Sequence, residues 1–144
     1  MNTVNDLLKT KGNQVWKIEY DTSIKDALQL LAQKDVGALP VVKNDKLVGI
    51  FSERDYTRKM ARKEECSMDA QVADIMTSKV FYVNLACTIE DCMALMTERH
   101  IRHLPVLEGE KMVGLISIGD LVKTIITNQK DHINQLEDYF QGKW

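Results

Sequence analysis

The chain has 144 residues, 44% hydrophobic and 28% charged, which suits one globular domain or two small halves and excludes a disordered or collagen-like chain. A formal net charge of −2 argues against sequence-independent nucleic-acid binding, no stretch approaches the roughly 18 uncharged apolar residues of a membrane span, and MNTVNDLLKTKG lacks a signal peptide's apolar centre. Cys66, Cys87 and Cys92 are odd in number and form no C-x-x-C pair, so a reducing compartment, the cytoplasm, is expected, without disulfides or structural zinc.

In chain order, the first β-rich run is Val15 to Tyr20, whose branched and aromatic residues suit a strand. Ser23-x-x-Asp26 then reads as a capping box, and Ile24, Ala27, Leu28 and Leu31 recur at helical spacing behind it. Two strand-like runs follow, Ala38–Val42 and Leu47–Ser52, separated by the turn-forming Asn44-Asp45. A second helix is expected from near Asp55. A polar linker including Lys63-Glu64-Glu65-Cys66-Ser67 comes next, and then the pattern starts again.

The restart keeps strict register. The chain's two prolines, Pro40 and Pro105, lie 65 residues apart, and the same offset maps Ile24 on Ile89, Asp26 on Asp91, Leu30 on Leu95, Val48 on Val113, Gly49 on Gly114, Ser52 on Ser117 and Asp55 on Asp120. Val80 to Leu85 is the second opening strand, Thr88-x-x-Asp91 the second capping box, Ile89, Cys92, Met93 and Met96 the second stripe, and Gly109 stands at the second turn. The expected fold is mixed α/β (α+β), two β-α-β-β-α repeats packed about a pseudo-two-fold axis, because one such unit is too small to bury its own sheet face. The expected organisation is a first repeat within 1–62, a linker over 63–79, a second repeat over 80–126 and a helical extension over 127–144. The stripe Leu121, Val122, Ile125 on the last helix would leave an exposed patch, so a homodimer is expected.

The runs Val36-Gly37-Ala38-Leu39-Pro40-Val41-Val42 and Ile101-Arg102-His103-Leu104-Pro105-Val106-Leu107 are each followed by a G-h-h-S-x-x-D stretch, Gly49 to Asp55 and Gly114 to Asp120. This pattern resembles the cystathionine-β-synthase (CBS) domain, and two in tandem resemble a Bateman module. The resemblance covers nearly the whole chain. It implies a stand-alone regulatory, energy-sensing module that binds adenosine-containing ligands (AMP, ADP, ATP, NAD(H) or S-adenosylmethionine) between the repeats and signals to a regulated protein that the sequence does not name. In that family the aspartate of one repeat works with strand residues of the other. Carried over by motif, Asp55, Ser52 and Arg54 should face Thr77, Val80, Ile101, Arg102 and His103, while Asp120 and Ser117 should face Val15, Val36, Gly37 and Ala38. Backbone groups near Ile101 or Val36 would hydrogen-bond adenine.

The residue chemistry agrees with that implication. A carboxylate just inside a helix start can accept hydrogen bonds from two vicinal hydroxyls, as acidic residues do when they read ribose; the plainer reading of Asp55 and Asp120 is an acid favoured by the helix dipole. Arg102 and His103 align with Gly37 and Ala38, and Arg54 with Gly119, so cations are expected at the Asp55 site and not at the Asp120 site. Lys59, Arg62 and Lys63 read as a solvated helix end. Glu98, His100 and His103 need not converge on a metal, and Cys87 and Cys92 lack an obvious basic activator. No P-loop, G-x-G-x-x-G or G-x-S-x-G motif occurs, so an enzyme is not expected. The alternatives are a purely structural dimerisation module without ligand, and a redox or metal protein built on the cysteines and histidines.

Overall fold

The computed structural model describes residues 2–12, 14–62 and 68–139, with side-chain surroundings through residue 130. The expected linker residues Lys63–Ser67, Cys66 among them, lie outside the described residues. In chain order the elements are α1 (Val4–Lys11), β1 (Ile18–Glu19), α2 (Ile24–Lys34), β2 (Ala38–Lys43), β3 (Lys46–Ser52), α3 (Glu53–Ala61), a 3-10 turn (Val72–Asp74), α4 (Ile89–Arg99), β4 (His103–Glu108), β5 (Lys111–Ser117) and α5 (Ile118–Tyr139). They form two units, one of Gln14–Phe81 with Gly109–Met112, the other of Met1–Asn13, Tyr82–Glu108 and Val113–Trp144.

In the first unit β1 runs parallel to β2, with Ile18 opposite Val41, and β2 pairs antiparallel with β3 from Ala38 opposite Ser52 to Lys43 opposite Lys46. The two residues joining β2 to β3 both take positive φ, Asn44 at 52° and Asp45 at 62°, the conformation of the tight hairpin turn that matches strand twist. Ser23 caps α2, its hydroxyl accepting from the Asp26 N–H at 3.1 Å. Ile18, Ile24, Ala27, Leu31, Leu39, Val41, Phe51 and Val72 make the core, each of the larger side chains contributing on the order of 1.5–3 kcal/mol. In the second unit Thr88 and Asp91 form the full reciprocal box, and α4 buries Ile89, Cys92 and Met96. Burial pushes the Cys92 thiol up to about 11, with Cys87 and Asp91 adding to the shift, so it stands as a neutral core group.

Both opening strands are shorter than expected. β1 keeps only Ile18–Glu19 of the Val15 to Tyr20 run, and Val80 to Leu85 is reduced to one parallel bridge between Val83 and Val106. The bridge shows why. Val83 N–H donates to Pro105 O at 3.0 Å and Leu107 N–H donates to Val83 O at 2.9 Å, and the next rung back needs an N–H that proline lacks. Pro40 holds the same place in the first repeat. The stripe expected on α5 also changes, because Leu121 is fully buried while Val122 and Ile126 are 43% and 57% exposed.

The lead segments of the two repeats are exchanged. Residues 70–77 precede the second repeat, yet they bond into the first unit: Val72 N–H to Thr22 O at 2.8 Å, Ile24 N–H to Ala70 O at 2.8 Å, and a reciprocal pair between Ile50 and Thr77 at 2.9 Å. Residues 2–11 precede the first repeat, yet they bond into the second unit: Val4 N–H to Cys87 O at 2.9 Å and Ile89 N–H to Asn2 O at 2.9 Å. α1 is capped by a Thr3–Asp6 box and buries Val4, Leu7 and Leu8. The close approach of each lead segment falls on the motif glycine. A Cβ on Gly49 would collide with Met76, at 2.9 Å from its Cγ, and a Cβ on Gly114 would lie 2.9 Å from both Leu8 methyls.

Candidate functional site

Each G-h-h-S-x-x-D stretch runs from a strand into the first turn of a helix, and the serine and aspartate tie that junction together. At the first, Asp55 N–H donates to Ser52 Oγ at 3.1 Å, while Asp55 Oδ2 accepts from Ser52 N–H at 2.9 Å and from Ser52 Oγ at 3.0 Å. At the second, Asp120 N–H donates to Ser117 Oγ at 3.1 Å and Asp120 Oδ2 accepts from Ser117 N–H at 2.8 Å. Both acids are therefore helix-capping groups, and both remain half-buried rather than enclosed. A carboxylate has about four lone-pair positions, of which the capping bonds use two at Asp55 and one at Asp120.

The exchanged lead segments add a different donor to each acid. The Thr77 hydroxyl donates to Asp55 Oδ1 at 3.0 Å, bringing two of the expected site residues together with Ser52. Lys11 Nζ donates to Asp120 Oδ2 at 2.6 Å and to Leu115 O at 2.7 Å. Lys11 was not among the residues read from the motifs, and it corrects the expectation that the Asp120 site has no cation. The signal for it lay in the lead segments, where Val4, Asp6, Leu7 and Leu8 correspond to Val72, Asp74, Ile75 and Met76 at an offset of 68 rather than 65.

The remaining expected residues hold the ends of the same junctions. Glu53 N–H donates to Gly37 O at 3.3 Å, and Ile118 N–H donates to Arg102 O at 2.9 Å. The N–H groups of Val36 and Ile101 are spent on Leu31 O at 3.1 Å and Met96 O at 3.0 Å. Neither N–H group is therefore left to bond a further acceptor. Val15, Val36, Val80 and Ile101 are half-buried, Ala38 is buried, and Arg54 and Arg102 are exposed. His100 turns the chain at the end of α4 with φ 55°, whereas His103 begins β4, and among the described residues no group of three His, Cys, Asp or Glu side chains is placed to hold a metal.

His103 sits in the field of the Asp120 pair. Burial lowers its basicity below the usual imidazole range, Lys11 and Arg102 lower it further, and Asp120 pulls the other way. Asp120 is pushed up by burial, but the Lys11 and Ser117 hydrogen bonds and the Lys11 charge outweigh that and hold it below the usual carboxylate range. The sign for stability follows from proton counts. Below pH about 6.5 the unfolded chain protonates its histidine before the folded protein does, so acid favours unfolding until the pH has passed through the lowered folded value. Asp120 adds stability above its unfolded value that is lost as pH falls through its own lowered value. His103→Asn is therefore expected to flatten the fall in urea midpoint between pH 7 and 5. A wild-type slope in the variant would remove His103 from the acid response.

The CBS domain family model matches residues 4–62 and 72–127, so each match begins on a lead segment. CBS domain-containing protein CBSX3, mitochondrial, of Arabidopsis thaliana is 37% identical over 97% of this chain and 72% of its own length. The crystal structure of the CBS domain NE2398 has 52% identity and a TM-score of 0.82 over 86% of this chain and 97% of that one. A protein with CBS domains from Burkholderia ambifaria MC40-6 has 47% identity and a TM-score of 0.83 over 88% and 96% of the two chains. With two repeats, two G-h-h-S-x-x-D helix starts and both family matches in register, the chain belongs to the CBS-domain family as a tandem CBS pair.

Proposed function

We propose that the chain is a regulatory CBS pair that binds adenosine-containing ligands through the ribose hydroxyls and reports occupancy to a partner protein. The observation that carries the reading is the repeated helix-start carboxylate, presented at the surface with a serine and a lead-segment donor beside it. On this reading Asp55, with Ser52, Arg54, Thr77 and Val80, works with Ile101, Arg102 and His103. Asp120 and Ser117 work with Val15, Val36, Gly37 and Ala38. The carbonyls of Val36 and Ile101 suit the adenine amino group, which donates. MJ0100, whose CBS domain pair is known in complex with 5′-methylthioadenosine and S-adenosylmethionine, shares the fold at 22% identity and a TM-score of 0.77. That likeness speaks to the fold, so the ligand class rests on the residues of this chain.

We further propose a homodimer in which α5 contributes Val122 and Ile126, two large apolar side chains exposed one turn apart. Among the described residues no helix is long and apolar enough to cross a membrane, and the free Cys87 and Cys92 fit the cytoplasm. The test is a thermal-shift panel of adenosine, AMP, ADP, ATP, NADH and S-adenosylmethionine, with sedimentation of the same samples. A ligand at about 100 times its Kd adds roughly 2.7 kcal/mol and should raise Tm by several degrees. The sedimenting mass should be twice 16.5 kDa. No shift with any ligand would leave a structural module, and a monomer at tens of micromolar would remove the dimer.

A further inference from the structure

α1 carries Asn5 and Lys9 one turn apart, so the two side chains share a face of that helix. Both line a cavity of about 420 Å³ in the second unit, together with Leu8, Leu85, Glu108 and Val113. That volume is within the range of small-molecule sites. Leu8 is buried and Leu85 and Val113 are half-buried, whereas Lys9 and Glu108 are exposed. Among the described residues no hydrogen bond or ion pair engages the Lys9 ammonium, the Glu108 carboxylate or the Asn5 amide. Two opposite charges thus line one apolar cavity without closing on each other.

The first unit shows the same place closed by its own side chains. At the repeat offset of 65, Leu85 corresponds to Tyr20 and Glu108 to Lys43, and at the lead-segment offset of 68, Asn5 corresponds to Ala73 and Lys9 to Thr77. The backbone agrees, because Ala73 N–H donates to Tyr20 O at 3.3 Å as Asn5 N–H donates to Leu85 O at 3.0 Å. There Lys43 Nζ lies 4.8 Å from the centroid of the Tyr20 ring, an ammonium over an aromatic face. Where the first repeat supplies its own cation, the second presents a carboxylate.

We propose that this cavity is a further ligand site, for a zwitterionic α-amino acid with an aliphatic side chain. The ligand's ammonium pairs with Glu108, its carboxylate with Lys9 and the Asn5 amide, and its side chain covers Leu8, Leu85 and Val113. An exposed lysine and glutamate gain little by closing on each other, because both lose rotamer freedom to hold one geometry. A ligand that brings both charges on one carbon atom bridges the gap between them and also takes apolar surface out of water. A phosphate or a dicarboxylate would gain Lys9 but face Glu108 as a like charge, so the site is selective against nucleotides. It shares no residue with the adenosine reading and does not depend on it.

The experiment is an NMR titration of the full chain with leucine, N-acetylleucine and leucinamide, following the backbone amides of Leu8, Leu85 and Val113 in wild type, Glu108→Gln and Lys9→Met. Leucine should shift those amides saturably in wild type. Blocking either of its charges should weaken binding about tenfold, the roughly 1.4 kcal/mol of one charge-assisted hydrogen bond. Glu108→Gln should weaken leucine and leucinamide by that factor and leave N-acetylleucine unchanged. Lys9→Met should weaken leucine and N-acetylleucine and leave leucinamide unchanged. A general loosening of α1 would weaken all three ligands together, and that result overturns the proposal. So does leucine binding that neither variant alters, which places the amino acid elsewhere, and so does the absence of saturable shifts with leucine in wild type.

Discussion

Asp55→Ala is expected to weaken adenosine binding about 100-fold. The carboxylate is the acid that Ser52 and Thr77 surround at that helix start, and two vicinal hydroxyls that displace the Thr77 bond give it two charge-assisted hydrogen bonds, each worth roughly 1.5–3 kcal/mol before water replaces part of the loss. A net loss of about 3 kcal/mol corresponds to that factor. The same substitution also removes the acceptor for Ser52 N–H at 2.9 Å and Ser52 Oγ at 3.0 Å, so about 1 kcal/mol of stability goes with the cap. Asp55→Asn separates the two effects. Its amide oxygen can still accept from Ser52 N–H and hold the start of α3, but it lacks the charge and the second acceptor that a diol uses. The expected results are a urea midpoint close to wild type for Asp55→Asn and a lower one for Asp55→Ala, with adenosine affinity low in both. Unchanged affinity in a folded Asp55→Ala protein would reduce the aspartate to a capping residue.

The parts of the fold that were legible in the sequence are those that depend on local chemistry or on the repeat. Ser23, Thr88 and the Ser52–Asp55 and Ser117–Asp120 pairs cap helices as their spacing requires, because a hydroxyl three residues before an acid satisfies donors of its own helix. The 65-residue register carried the second repeat with no further information. Strand propensity failed at Val15 to Tyr20 and Val80 to Leu85 because it describes one segment, whereas the ladder depends on the neighbour, and Pro40 and Pro105 withhold the N–H that a longer pairing needs. Lys11 was missed for a related reason. Its importance comes from the partner of α1, a helix that precedes the first repeat but bonds into the second unit, and the lead segments match each other at an offset of 68, outside the 65-residue register of the repeats.

Gly114→Val is expected to lower stability by about 1–3 kcal/mol and, with it, to disturb the Asp120 site. Gly114 is buried in β5, and its missing side chain is the space that Leu8 of α1 occupies: a Cβ there would stand 2.9 Å from both Leu8 methyls and 3.5 Å from Leu8 Cγ. Leucine in a helix has few rotamers and Leu8 is 7% exposed, so the added methyl groups force α1 outward rather than being absorbed by a side-chain swing. Lys11 follows Leu8 by three residues on the same short helix, and its bonds to Leu115 O and Asp120 Oδ2 depend on where that helix lies. The glycine of the motif is thereby a positioning residue for the lysine. A double-mutant cycle distinguishes this steric account from a general weakening of β5. Leu8→Ala, which removes the methyl groups in question, should cost about 2–5 kcal/mol in wild type but distinctly less in a Gly114→Ala background, where the smaller side chain relieves the contact. Additive losses across that cycle would show that Gly114 and Leu8 do not share the space.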